Sequence, residues 1–157
     1  MKNGLAFWVF MVVLVALHFV LHLTFGLSVW APDLLTLAVL LAARQLTGGA
    51  AAGVGFVLGI LEDAVSLGAF GAAAITQTVV GYLGARSRDL FVGESILFLS
   101  LYFFLGAWLQ DALYYAVAPA VRRGDPVDAL LLHAPLQALY VAVVGVVAMI
   151  IYRALRR

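Results

Sequence analysis

Residues 53–86 read GVGFVLGILEDAVSLGAFGAAAITQTVVGYLGAR, and the rest of the predicted architecture is arranged around them. An apolar, glycine-spaced run leads to two adjacent acids, turns, and returns through a second run of small residues, which predicts a hairpin of two helices. At about 100° per residue, four residues of the first helix fall within an arc of roughly 100°: Gly55, Gly59, Glu62 and Asp63. Small residues let another backbone approach, and carboxylates near lipid need a partner or water. We therefore expect this face to make a specific contact.

The composition places the chain in a membrane. Of its 157 residues, 66% are hydrophobic and 11% are charged, and the mean hydropathy is +1.12. Soluble domains are about half apolar and about a quarter charged, so a soluble core of this size could not enclose the apolar surface. The net charge is +1 without a basic patch, which excludes nucleic acid as a partner. The absence of cysteine excludes disulfides and thiol catalysis.

Six apolar runs predict one all-α integral membrane domain over residues 1–157, with six transmembrane helices. The runs cover about residues 5–23, 34–43, 50–63, 69–85, 96–118 and 129–152. The second run is short, because roughly 20 residues are needed to cross a bilayer. It either extends at both ends or lies obliquely within the bundle. Asp33, which follows Pro32, is expected to cap this second helix.

Basic residues predict the orientation. With six spans and a cytoplasmic N-terminus, seven basic residues fall on the cytoplasmic side, and only Arg122 and Arg123 fall outside. The seven are Lys2, Arg44, Arg86, Arg88, Arg153, Arg156 and Arg157. This positive-inside bias predicts that both termini are cytoplasmic.

Several polar residues then fall in the outer half of the membrane. They are Glu62, Asp63, Asp111 and His133, with Gln137 and Tyr140 continuing a stripe from His133 at helical spacing. One interpretation is that they converge on an outward-facing pocket or partner patch. The other is that each ends a helix or is hydrated at the interface, since a carboxylate at mid-bilayer costs about 2.5–3.5 kcal/mol. Both interpretations remain open at this point.

The polar residues form no catalytic or metal-binding motif. The sequence contains no HExxH, no GxSxG and no phosphate-binding glycine loop, so we expect neither enzymatic activity nor a cofactor. His18 and His22 are four residues apart, a spacing that can bind a metal, but their helix carries no acid or cysteine to complete the site. The patch Thr76-Gln77-Thr78 is expected to form hydrogen bonds inside the bundle.

Residues 55–63, GFVLGILED, resemble the G-F-x-x-G-L-x-x-D segment of the rod shape-determining protein MreD family. The similarity continues through Leu67-Gly68 and Val80-Gly81-Tyr82-Leu83, and Glu62 before the aspartate departs from the family pattern. The motif positions that carry over are Gly55, Phe56, Gly59 and Asp63. The glycines would permit close helix contact and Phe56 would fill the adjacent groove. Asp63 would fix the hairpin or accept hydrogen bonds from a partner.

The resemblance implies a multi-pass protein of the bacterial inner membrane, surrounded by lipid and without known catalytic activity. It implies a fold similar to the substrate-binding subunits of energy-coupling factor vitamin transporters. The implied partner is an MreC-like bitopic membrane protein. Through it the protein would be linked to the RodA glycosyltransferase, its penicillin-binding transpeptidase and MreB, and so to peptidoglycan synthesis and rod cell shape.

Two functions are compatible with these features: a scaffold that binds an MreC-like partner, and a substrate-binding subunit of a vitamin-type transporter. Vitamin-binding subunits typically carry an Ala-x-x-x-Ala contact on their first helix, and residues 5–23 contain no such spacing. The polar groups are also few for a ligand rich in heteroatoms, because specific sites need several convergent donors and acceptors. The sequence therefore favours the scaffold.

Overall fold

The computed structural model describes residues 2–24, 32–66, 70–88, 95–118 and 125–155. Within these ranges the chain is helical and forms no strand, which confirms the all-α prediction. The helices are α1 (Lys2–Phe19), α2 (Leu34–Ala43), α3 (Gly48–Val65), α4 (Ala72–Ser87), α5 (Ile96–Val117) and α6 (Ala134–Leu155). A π-helical turn, Val20–Thr24, extends α1, and another, Asp128–His133, leads into α6. Outside the described residues lie Leu67-Gly68, Arg122, Arg123, Arg156 and Arg157.

Asp33 starts α2. Its Oδ1 atom accepts hydrogen bonds from the backbone N–H groups of Leu35 (3.0 Å) and Thr36 (2.9 Å), and its Oδ2 atom accepts one from the Thr36 hydroxyl. The two backbone groups are among the donors that the first turn of a helix leaves unpaired. The predicted helix cap is confirmed.

Helix α2 is the centre of the bundle. All of its residues are buried, from Leu34 to Ala43, and the other five helices pack around it. At 1.5 Å per residue its ten residues are about 15 Å long, half the thickness of a bilayer's hydrocarbon core. An apolar helix with no polar side must be covered by protein or lipid on every side. Of the two interpretations of this short run, burial within the bundle agrees with the structure.

Four helical stretches of the described chain are long and apolar enough to cross a membrane: Gly4–Leu23, Gly48–Val65, Ile96–Val117 and Asp128–Ala154. At most 28% of the most apolar part of each is buried within the protein. Large apolar side chains cover the outside, including Val12, Leu97 and Leu136. Apolar patches of this extent are not found on soluble monomers. The chain is therefore a multi-pass membrane protein.

Among the described residues, the arginines lie at one end of the bundle, and Asp33, Glu62, Asp63 and Asp111 lie at the other. At one end, Nη1 of Arg88 donates hydrogen bonds to the backbone carbonyl oxygens of Leu46 (2.8 Å) and Arg44 (3.4 Å), which ties the end of α4 to the loop between α2 and α3. The guanidinium carbon of Arg44 lies 5.6 Å from the centre of the Tyr102 ring. We call this the basic end, defined by Arg44, Arg86, Arg88 and Arg153, and the opposite one the acidic end, defined by Asp33, Glu62, Asp63 and Asp111.

Candidate functional site

The hairpin of α3 and α4 is the most closely packed pair of helices in the described chain. A Cβ atom added to Gly59 would lie 2.5 Å from the Ala73 carbonyl oxygen, and one added to Gly55 or Gly81 would overlap the facing backbone. Real Cβ atoms do not approach a backbone that closely, so each of these positions requires glycine. The structure places Gly55 and Gly59 inside the hairpin, in contact with α4 of the same chain.

Asp63 holds the other half of the hairpin in place. Its carboxylate is only 3% exposed and accepts hydrogen bonds from the backbone N–H groups of Gly71 (3.0 Å), Ala73 (3.1 Å) and Ala74 (2.9 Å). Gly71 precedes α4 with a φ of 94°, in the left-handed region that favours glycine, and has no side chain to cap the helix. Asp63 supplies that cap from α3, and its negative charge meets the positive end of the helix dipole. Of the two roles considered for Asp63, the geometry shows that it fixes the hairpin.

The opposite side of α3 is open. Cβ atoms added to Gly49 and Gly53 would meet no neighbouring atom within 4 Å. These glycines lie on the same side of the helix as Phe56 and Ile60, which are 49% and 38% exposed. We call Gly49, Gly53, Phe56 and Ile60 the open face of α3. Phe56 is therefore the motif residue that the hairpin leaves available to another molecule.

Glu62 and Asp111, two of the acids predicted for the outer half of the membrane, belong to one group at the acidic end. Both are half-buried, in the last turns of α3 and in α5 respectively. The Glu62 carboxylate lies beside the Gln77 amide and within electrostatic range of Asp33, Asp63 and Asp111. The fold thus gathers carboxylates from α3, α5 and the start of α2 around a polar part of α4.

The other three residues of the predicted outer cluster lie on α6 and on the π-helical turn that precedes it. Helix α6 packs mainly against α5, and His133 and Tyr140 are exposed while Gln137 is half-buried. Glu62 lies within electrostatic range of Asp111, and the grouping of these three residues with the two acids stays a prediction. Their helical spacing correctly puts them on one side of a helix, but spacing alone carries no information about which neighbour that side meets.

Buried amides link the central helix to its neighbours. Gln77 Nε2 donates a hydrogen bond to Thr36 Oγ1 (2.8 Å), and Gln110 Nε2 donates one to Thr76 Oγ1 (3.0 Å). The expectation that Thr76 and Gln77 bond inside the bundle is confirmed. Sequence reasoning missed Asp33 and Thr36 as members of this network, because the partners are far apart in the chain and no local pattern joins them.

Thr78 and His22 make local contacts, whereas His18 Nδ1 lies 3.8 Å from Asp33 Oδ1 at the start of α2. Thr78 Oγ1 donates to the Ala74 carbonyl oxygen of its own helix at 2.6 Å. The rings of His18 and His22 stack with centroids 4.1 Å apart, and His22 Nδ1–H donates to the His18 carbonyl oxygen at 2.9 Å. Within the described ranges, no group of three or more histidines and acids is arranged to hold a metal ion.

A groove of about 350 Å³ opens between α4 and α5 near the basic end. Tyr102 lines it and donates its hydroxyl to the Leu40 carbonyl oxygen at 3.0 Å. Arg86 and Ser87 are the other polar residues of the lining, and most of the rest is apolar, including Leu83 and Leu105. A groove with this lining offers few polar groups with which to orient a ligand rich in heteroatoms.

Fold and site together define a class: a multi-pass helical membrane protein built around a glycine-packed, aspartate-capped hairpin. A family model described as rod shape-determining protein MreD matches residues 1–152. The chain therefore belongs to the MreD family, as the motif in α3 indicated. MreD is a family of shape determination and not a known enzyme family. No curated protein and no solved structure matches the chain.

Proposed function

We propose that this protein is a non-catalytic scaffold of the bacterial rod complex, which binds an MreC-like bitopic partner through the open face of α3. The main support for this proposal is that the two pairs of glycines on α3 have different surroundings. Gly55 and Gly59 pack against α4 inside the hairpin, whereas a Cβ atom added to Gly49 or Gly53 would meet no atom within 4 Å. Membership of the MreD family supplies the role in rod shape determination.

The chemistry of the open face suits a transmembrane helix. Lipid chains are as apolar as leucine, so helices associate in a membrane through close packing rather than through the hydrophobic effect. Gly49 and Gly53 would let a partner backbone approach, and Phe56 and Ile60 would pack along its side. A single-span protein such as the MreC-like partner presents one helix of this kind.

A domain of six membrane helices, in which the short α2 is enclosed by the other five, and a basic end in the cytoplasm of a bacterial cell are part of this proposal. The arginines of the described chain gather at the basic end, and the positive-inside rule places such an end in the cytoplasm. Helix α3 runs from the basic end to the acidic end, between exposed Gln45 and exposed Ser66. In the cysteine-free chain, Ser66→Cys should be labelled by a membrane-impermeant maleimide in intact cells and Gln45→Cys should not; the reverse pattern would contradict the orientation.

Bound in this way, the scaffold would act on wall synthesis through its partner. The family resemblance implies indirect links to RodA, to a penicillin-binding transpeptidase and to MreB, and a fold similar to the substrate-binding subunits of energy-coupling factor transporters. The open face is the part of this protein that we assign to that assembly. Helix α3, which carries this face, packs against α4 and against the central helix α2.

The test is a substitution that fills the free space without touching the fold. Gly53→Leu should leave membrane insertion and thermal stability unchanged and lower co-purification of the MreC-like partner at least tenfold. Gly4→Leu in α1 is the matched control, because Gly4 also has nothing within 4 Å of a Cβ position. Equal recovery of the partner with both variants would contradict the assignment of the open face to the interface.

A further inference from the structure

Four buried polar atoms near the acidic end have no hydrogen-bond partner among the described residues: His18 Nδ1, Glu62 Oε2, Gln77 Oε1 and Gln110 Oε1. Gln77 is fully buried, and Gln110 is 5% exposed. Leaving a buried polar atom without a partner destabilises the folded state, so native proteins rarely keep several of them in one region. Because these four atoms lie toward the same end of the bundle, one group bound there would pair with several of them.

The two glutamines show what kind of group is missing. Each uses its Nε2 donor on a threonine hydroxyl, Gln77 on Thr36 and Gln110 on Thr76, and each is left with an unpaired carbonyl oxygen. The unpaired Glu62 oxygen can also only accept while the carboxylate is ionised. Three of the four atoms are thus acceptors in need of N–H or O–H donors.

The charges near these acceptors restrict the donor further. Asp63 and Asp33 accept hydrogen bonds from backbone N–H groups of α4 and α2, and His18 Nδ1 lies 3.8 Å from Asp33 Oδ1. Glu62 has no such donors on its buried oxygen and lies within electrostatic range of those two acids and of Asp111. The arginines of the described chain lie at the opposite end. An ammonium or a guanidinium carries enough N–H donors for all three acceptors, whereas a water molecule has only two O–H donors.

We propose that the acidic end binds a cationic nitrogen group that carries N–H donors, an ammonium or a guanidinium, between Glu62, Gln77, Gln110 and Asp111. Such a group supplies hydrogen-bond donors and positive charge together, and charge-assisted bonds of this kind are the strong ones. Half-buried Glu62 and Asp111 give the site an opening toward the acidic end. The cation comes either from a free amine or, if the proposed function holds, from a basic side chain of the partner next to its transmembrane helix.

The experiment uses two cations of equal charge that differ in their donors. The full chain in lipid nanodiscs is titrated with methylammonium chloride or with tetramethylammonium chloride at the same ionic strength. At ten times its dissociation constant, methylammonium should raise the apparent melting temperature by about 3–5 °C, saturably. Tetramethylammonium, which has no N–H donor, should give no saturable change. Equal responses to both salts, or no response to either, would overturn the proposal.

Two variants locate the effect. Glu62→Gln keeps the shape of the side chain and removes its charge, so it should weaken the methylammonium response at least tenfold in concentration. Asp128→Asn is the matched control, because this exposed acid lies outside the cluster near the start of α6. If Glu62→Gln reduces the yield of folded protein, Asp111→Asn replaces it with the same expectation. An undiminished response in both cluster variants would contradict the site.

The source of the cation is decided with the protein bound to its MreC-like partner. If the partner's basic side chain fills the site, methylammonium will no longer stabilise the complex. If a free amine is the ligand, the response persists in the complex. Either result supports the site, and neither depends on the open face of α3, which the Gly53→Leu variant tests separately.

Discussion

Two pairs of glycines on α3 have the same four-residue spacing and different surroundings. Gly55 and Gly59 press against the backbone of α4, whereas Gly49 and Gly53 face open space. A four-residue spacing of small residues in a membrane helix therefore indicates that close contact is possible. It does not indicate which helix makes that contact. In this protein the pair within the family motif packs inside the hairpin. The pair outside the motif belongs to the face that we propose binds the partner.

The largest effect that this comparison predicts is on the inward pair. Gly59→Leu should force α3 and α4 apart, because even a Cβ atom there would lie 2.5 Å from the Ala73 carbonyl oxygen. Overpacking of a core typically costs about 1–3 kcal/mol, and against rigid backbone we expect the upper end of that range or more. Monodisperse protein recovered after detergent extraction, measured by size-exclusion chromatography, should fall sharply. If Gly59→Leu and Gly53→Leu gave equal amounts of monodisperse protein, the proposed difference between the two glycine pairs would be contradicted.

The next effect concerns Asp63, which anchors the inward side. Asp63→Ala should lower stability by about 2–3 kcal/mol, because it removes a helix cap and leaves buried N–H groups unpaired. Asp125→Ala is the control: Asp125 also accepts a backbone N–H, from Val127 at 2.9 Å, but the site is exposed and the expected cost is about 1 kcal/mol. Apparent melting temperatures in nanodiscs measure both. Equal shifts would mean that burial of the Asp63 cap contributes nothing.

Much of the fold follows from apolar periodicity and from caps. The limits of α2 and α5 lie within a residue of the predicted runs, and the Asp33 cap is visible in the sequence because an acid after proline precedes an apolar run. What the sequence does not reveal is the side of each helix that meets a neighbour. The central position of α2 depends on the packing of every other helix, so its short length alone left two interpretations open.

The candidate site was predicted in part for the same reason. The MreD-like motif identified Gly55, Phe56, Gly59 and Asp63, but only the structure separates the three inward residues from Phe56. Glu62 and Asp111 were assigned to the outer half, and they do lie at the same end of the bundle. Their neighbours Thr36 and Gln77 come from distant parts of the chain and are brought there by tertiary packing, which no local pattern records.

We propose that the open face of α3 is the surface that binds the partner. The most direct test attaches a benzophenone maleimide to single cysteines in the cysteine-free chain, at Phe56→Cys on the open face and at Val143→Cys on exposed α6. After irradiation in membranes that contain the MreC-like partner, we expect the probe at position 56 to form a cross-linked complex with the partner and the probe at position 143 to form none. Cross-linking from position 143 alone, or equally from both, would contradict it.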